Sequence, residues 1–191
     1  MKIALTGVIA GGKTTVLNEF ARLGWLTLCS DSLVAEVAHS MEGAAIAHRL
    51  MGGAFSMEDF RRAFVGSAEL RREWEGFVHP RVNNVWQEFL AQNASANVVI
   101  ELPLLFEKGL EGWFDKVVVL KTPPGIALER WKANGRDAIL FDELTRLLLP
   151  VEEKAQKADF VLTNEGSESL LIEQVRALHT QLIQTHVERT I

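Results

Sequence analysis

The sequence predicts an α/β fold, a parallel sheet of five strands covered by helices and organised around a phosphate-binding loop near the amino end. Three observations carry that reading. Gly7-Val8-Ile9-Ala10-Gly11-Gly12-Lys13-Thr14-Thr15 fits G-x-x-x-x-G-K-[ST] without a mismatch. The loop stands between an apolar run, Lys2 to Thr6, and a segment with apolar residues at helical spacing, Val16 to Leu23. Further short apolar runs then alternate with helical stretches, the pattern of a parallel sheet with crossover connections.

The glycines at 7, 11 and 12 allow a tight turn that brings backbone N–H groups within reach of phosphate oxygens at the positive end of a helix dipole. Ala10, Gly11, Gly12, Lys13, Thr14 and Thr15 are thus expected to bind a nucleoside triphosphate, which the resemblance given below makes ATP. Lys13 would reach the β- and γ-phosphates, and the Thr14 hydroxyl would ligate Mg2+. After the first helix, Gly24 is placed as a C-cap, and Trp25 to Leu28 reads as a second strand ending at Cys29-Ser30-Asp31-Ser32. Ligands of open parallel sheets sit beyond the carboxyl ends of strands, so Asp31 faces the same crevice as the loop. It reads either as the N-cap of a helix from Leu33 or as a carboxylate that accepts a hydroxyl proton or helps hold the metal.

Residues 33–92 hold no convincing strand and read as helical, with interruptions at Gly43, Gly52-Gly53 and Pro80. So long a crossover reads as an inserted substrate unit. Its arginines, Arg49, Arg61, Arg62, Arg71, Arg72 and Arg81, form either a solvated face or a pocket for a phosphate-bearing second substrate. His79, before Pro80, reads locally as a helix-end residue. Asn97 to Leu102 is a third strand ending in Glu101, which suits water-mediated support of Mg2+, and it continues into Pro103-Leu104-Leu105-Phe106-Glu107. Lys116 to Leu120 is a fourth strand, apolar enough to be covered on both faces. A helix from Ile126 to Ala133 carries Arg130 and breaks at Asn134-Gly135-Arg136. The stretch from Asp137 to Lys157 then reads as polar and helical; in a kinase it would be a lid over ATP, with Arg130 and Arg136 either brought to the transferring phosphoryl group or left as surface arginines. Asp159 to Leu162 is a fifth strand, and a final helix presents Leu170, Leu171, Val175, Leu178, Leu182 and Ile183 to the sheet.

Composition bounds the function. With 191 residues, 48% of them apolar, the chain can bury one substantial core. Its 20 basic residues against 25 acidic ones leave a net charge of −5, which argues against a general nucleic-acid surface. No run approaches the ~18 apolar residues needed to cross a bilayer, and the apolar start is only a strand long, so no membrane partner and a cytoplasmic location are expected. Cys29 is the single cysteine, which excludes an internal disulfide and a thiolate zinc cluster and leaves a small buried thiol as its default role. Nothing in the chain sets an oligomeric state.

Taken in order, the loop, Asp31, Arg62-Ala63-Phe64, His79-Pro80, Pro103-Leu104-Leu105-Phe106-Glu107, Arg130 and Ala158-Asp159 with Asn164 and Gly166 resemble the dephospho-coenzyme A kinases over nearly the whole chain. The resemblance implies a P-loop kinase three-layer fold: a five-stranded parallel core (1–32, 93–134 and 158–191), a helical acceptor-binding insertion (33–92) and a helical lid (135–157). It implies ATP-dependent phosphorylation of the ribose 3′-hydroxyl of dephospho-coenzyme A, with Mg2+, as the last step of coenzyme A synthesis. Asp31 would then be the catalytic base and a metal neighbour alongside Thr14, and Lys13 and Arg130 would act on the phosphates. Arg136 and Asn164 would lie on the ATP side, and Arg62, His79, Leu104 and Glu107 on the acceptor side. The family commonly has Asp where this chain has Cys29, Arg at Ala35, a second lid arginine at Asn134 and Gln at Leu148. Two alternatives stand beside this one: a kinase of another small molecule, and a nucleotide-binding protein without phosphoryl transfer.

Overall fold

A computed structural model describes the backbone of residues 1–188, with side chains through residue 184. The last residues of the expected core range, 189–191, lie outside the described residues. In order the elements are β1 (Lys2–Gly7), α1 (Lys13–Arg22), β2 (Leu26–Cys29), α2 (Ser30–His39), α3 (Met41–Met51), α4 (Met57–Gly66), α5 (Ala68–Gln92), β3 (Val98–Glu101), β4 (Lys116–Lys121), α6 (Pro124–Ala133), α7 (Ala138–Thr145), α8 (Val151–Lys157), β5 (Phe160–Thr163) and α9 (Glu168–Glu188), with a single 3-10 turn at Glu111–Trp113. The five strands form one parallel sheet in the order β2-β3-β1-β4-β5.

β1 is central because both its faces are apolar: Ile3, Ala4 and Leu5 are fully buried, as are Val118, Val119 and Leu120 of β4. On one side, α1 and α9 cover the sheet with Val16, Phe20, Leu171, Val175 and Leu178; on the other, α2 to α5 pack around Trp74, Val78, Val82 and Trp86. Leu170 is not part of the α9 stripe but exposed, because its position turns it away from the face that carries Leu171 and Val175.

The end of α1 shows how local chemistry directs the chain. Gly24 takes φ 86, its N–H donates to Ala21 O at 3.0 Å, and Trp25 N–H donates to Phe20 O at 3.0 Å. This is a Schellman cap, closed by an edge contact between the Phe20 and Trp25 rings at 5.3 Å. It moves Trp25 out of the expected strand and starts β2 at Leu26.

Three expectations in and just before the insertion are corrected. Pro80 does not end a helix: α5 runs through it for 25 residues, so His79 lies mid-helix. Residue 76, whose carbonyl the proline ring crowds, is glycine, and Trp74, Val78, Val82 and Trp86 are all buried, so packing on both sides holds the helix together across the lost hydrogen bond. Gly43 lies in the first turn of α3, and the break falls at Ser40, whose side chain caps Gly43 N–H. Asp31 is not an N-cap: Cys29 occupies that position without a side-chain cap, and Asp31 sits in the first turn of α2. The stretch 137–157 is also less polar than expected. It is two helices, and Leu140 and Phe141 of α7 are buried against Trp131.

Gly7 takes φ 151, and a Cβ there would lie 2.4 Å from Leu120 O on the neighbouring strand. Gly7→Ala should therefore destabilise the protein by at least ~2 kcal/mol, from strain and overpacking together, read as a lowered thermal midpoint in the absence of nucleotide.

Candidate active site

Because the sheet is parallel, the carboxyl ends of all five strands open on one edge, and the candidate residues gather there. β1 delivers the loop. Gly11 N–H donates to Val8 O at 3.2 Å, Gly12 takes φ 99 as the residue before α1, and Thr15 N–H donates to Gly12 O at 3.0 Å. Ala10 has φ 54, the one positive φ at a non-glycine among the described residues. Such a backbone costs on the order of 1 kcal/mol and persists where its surroundings fix it.

Lys13 opens α1 with its side chain folded back. Nζ donates to Val8 O at 3.0 Å and lies 3.5 Å from Glu101 Oε1. Glu101 ends β3 almost fully buried, and burial pushes its carboxyl above the ordinary range, partly opposed by the nearby Lys13 charge. Its Oε1 makes no hydrogen bond, while Oε2 accepts from the Cys29 thiol at 3.5 Å. Cys29 pairs with Glu101 in the β2-β3 register and is half-buried rather than part of the core; burial and Glu101 together push its thiol up and keep it neutral.

Asp31, two residues beyond β2, is exposed at the positive end of α2. Ile9, Ala10, Lys13, Asp31, Leu104, Glu107 and Arg136 line one cavity of about 450 Å3. Asp31 and Leu104 also border an adjoining cavity of about 430 Å3, walled by Phe64, Trp74, Val78 and His79, with Lys108 at its mouth. The structure thus brings together the loop, Asp31, Leu104, Glu107 and Arg136, and sets His79 in the neighbouring cavity.

Arg62 stands apart: it is exposed and pairs with Glu58 at 2.6 Å and Asp137 at 3.6 Å. Arg49 and Arg81 likewise pair with acids. Arg71 and Arg72 instead line a third cavity with His79 and Lys108. Arg136 stacks on Trp131, 4.6 Å from the ring centre. Arg130 and Asn164 lie on the outer side of the loop, both bonded to Gly11 O.

Glu107 is engaged by the chain itself. Its Oε1 accepts from Lys154 Nζ and from Leu149 N–H, each at 2.8 Å, and its buried Oε2 is unpaired. Lys154 is almost wholly buried and also donates to Pro103 O at 2.8 Å; burial pulls its ammonium below the ordinary value, opposed by Glu107. Lys154 carries no sequence signal, being one charge in a charged stretch, and its burial comes only from the docking of α8. Thr122 was findable in principle, since it stands at the carboxyl end of a central strand.

Magnesium fits the donor set. Thr14 is exposed at the start of α1, Asp31 lies across the cavity and Glu101 Oε1 is an orphaned buried oxygen, all hard ligands. Among the described residues, no group of three or more His, Cys, Asp or Glu converges to hold a metal alone. That suits an ion completed by substrate phosphates and water.

A family model described as dephospho-CoA kinase matches residues 1–169. The dephospho-CoA kinase of Brucella abortus (strain 2308) is 32% identical, with 94% of each chain covered. That of Thermus thermophilus is 30% identical over 94% of this chain and 91% of its own. A crystal structure from Thermus thermophilus aligns with TM-score 0.77 and 29% identity, covering 95% of this chain and 97% of the other. Shikimate kinase from Acinetobacter baumannii shares the fold alone, at TM-score 0.58 and 17% identity over 96% and 93% of the two chains.

Two outcomes follow from the charges. Lys154→Met strands the Glu107 carboxylate and should lower stability by ~3–5 kcal/mol in denaturant melts, whereas adding Glu107→Gln should restore much of the loss. Burial lowers the His79 pKa below 6.5, with Glu75 opposing and Lys108 reinforcing the shift. The unfolded chain therefore binds the extra proton first as pH falls, and the wild type loses stability on acidification through that window. The difference in thermal midpoint between wild type and His79→Gln should shift against the wild type between about pH 7.5 and about pH 5.

Proposed function

The chain belongs to the dephospho-CoA kinase family, and from that premise we propose that Asp31 and the phosphate loop carry out the family reaction: transfer of the ATP γ-phosphoryl group to the ribose 3′-hydroxyl of dephospho-CoA, completing coenzyme A synthesis. The observation that carries this is the shared cavity, in which Lys13 and Asp31 face each other beside Leu104 and Glu107.

ATP enters with its phosphates against the amides of residues 10–15, and Lys13 leaves Val8 O and Glu101 for the β- and γ-phosphates. Mg2+, when bound near Thr14 and Asp31, neutralises phosphate charge. The acceptor lies in the adjoining cavity, its apolar arm against Phe64, Trp74 and Val78 and its phosphates toward the cationic mouth of Arg71, Arg72 and Lys108. His79 and Leu104 line that path, and Arg62 would reach it only by exchanging its acidic partners. Asp31 takes the 3′-hydroxyl proton as the oxygen bonds to the γ-phosphorus, and the bond from that phosphorus to the bridging oxygen breaks to release ADP. Asp31 borders both cavities, where a side-chain oxygen can accept that proton.

On this reading residues 33–92 hold the acceptor, and residues 135–157 close over ATP and carry Arg136 inward. Lys154 anchors the far end of that segment, so closure is a movement of α7 more than of α8. No helix among the described residues is long and apolar enough to cross a membrane, in keeping with a cytoplasmic reaction.

The test is incubation with Mg·ATP and dephospho-CoA, with coenzyme A and ADP expected in equal amounts. ADP release driven only by another alcohol would reject the acceptor, and ATP binding without acceptor-stimulated release would reject the transfer. Asp31→Asn should lower kcat by roughly 10²- to 10⁴-fold with little change in thermal midpoint, and near-normal turnover would remove it as base.

A further inference from the structure

The carbonyl oxygen of Gly11 accepts from three side chains on three different parts of the fold: Asn164 Nδ2 at 2.8 Å, Thr122 Oγ1 at 2.9 Å and Arg130 NH1 at 3.3 Å. Asn164 and Thr122 stand one residue past β5 and β4, and both are almost fully buried, at 4% and 2% exposure. The Asn164 amide is used at both ends, since its Oδ1 accepts from Arg130 NH2 at 3.2 Å. It also fills the space beside the loop: a Cβ on Gly12 would lie 2.5 Å from Asn164 Nδ2.

A trans peptide points its C=O and the following N–H in opposite directions, and no cis peptide occurs among the described residues. Drawing the Gly11 oxygen toward the tips of β4 and β5 therefore turns the Gly12 N–H toward the open side of the loop. A peptide flanked by two glycines is otherwise free to flip, and a flipped Gly11 carbonyl would aim its oxygen at the phosphates.

We propose that Asn164 and Thr122 are positioning residues that fix the Gly11-Gly12 peptide with its amide facing the phosphates, and that Asn164 ties this peptide to Arg130. Neither needs to touch ATP. The role deepens the kinase reading but rests on it only for binding of a triphosphate. It also explains the second glycine of the pair: the Asn164 amide occupies the volume a side chain at residue 12 would need.

Calorimetric titration with Mg2+ and ATP, GTP or inorganic tripolyphosphate tests this, because the clamp acts on phosphate and is blind to the base. Asn164→Ala should weaken all three by a common factor of about tenfold. Asn164→Asp should weaken them further, since it sets a carboxylate oxygen against the Gly11 carbonyl. Thr122→Val should lose affinity for all three, and Thr122→Ser, which keeps the hydroxyl, should recover most of it. Dephospho-CoA binding without nucleotide should not move in any variant. A loss confined to adenine nucleotides would assign Asn164 to the base and overturn the proposal, as would unchanged affinities in Asn164→Ala and Thr122→Val. Should the Asn164 variants fail to fold, the Thr122→Val and Thr122→Ser pair decides alone. Since the readout is phosphate affinity, failure to phosphorylate dephospho-CoA would leave this result standing.

Discussion

All five strands of a parallel sheet end at the same edge, and here each end contributes a group to the proposed site: the loop after β1, Asp31 after β2, Glu101 in β3, Thr122 after β4 and Asn164 after β5. The strand order decides who meets whom. With β1 between β3 and β4, the loop finds the Glu101 carboxylate on one side and the donors Thr122 and Asn164 on the other. In the proposed function one side holds the cation that would meet phosphate, and the other fixes the backbone that would bind it. A change of strand order would scatter these contacts without altering a single local propensity.

The resting charges follow from the same geometry. Glu101 is too buried to carry its charge comfortably, and Lys13, 3.5 Å away, partly offsets that cost. On the proposed reading a triphosphate would draw Lys13 away from Glu101, exchanging one ion pair for another. The Glu107-Lys154 pair is built differently. Lys154 donates to both Glu107 and Pro103 O, Leu149 N–H joins them, and the pair ties the segment after β3 to α8. The first pair is a single long contact at the proposed phosphate site; the second is held by several hydrogen bonds and marks a boundary.

The legibility of these features in the sequence depends on how local their causes are. The loop, Lys13 and the strand tip carrying Asp31 were readable because a fixed run of glycines and a short apolar run each have one structural use. The Schellman cap at Gly24 was readable for the same reason. Pro80 misled because its local cost is real but is offset by Trp74, Val78, Val82 and Trp86, residues that act only once the sheet exists. Asp31 misled as an N-cap because α2 begins at Ser30, directly after β2 ends at Cys29, which takes the N-cap position two residues earlier. Lys154 and the contact of Asn164 with Gly11 were invisible, since no spacing relates partners 47 and 153 residues apart.

Cys29 is where this chain departs most directly from the family pattern around the base, and the structure gives the substitution a physical meaning. An aspartate at this position would set a second carboxylate beside Glu101, across the same rung of the β2-β3 ladder. Two acids so close, with Lys13 as the shared cation, cannot both ionise at ordinary cost. The thiol removes that conflict: it stays neutral and donates its hydrogen to Glu101 Oε2. The sheet edge keeps Asp31 and gives up a carboxylate that would compete with Glu101 for Lys13.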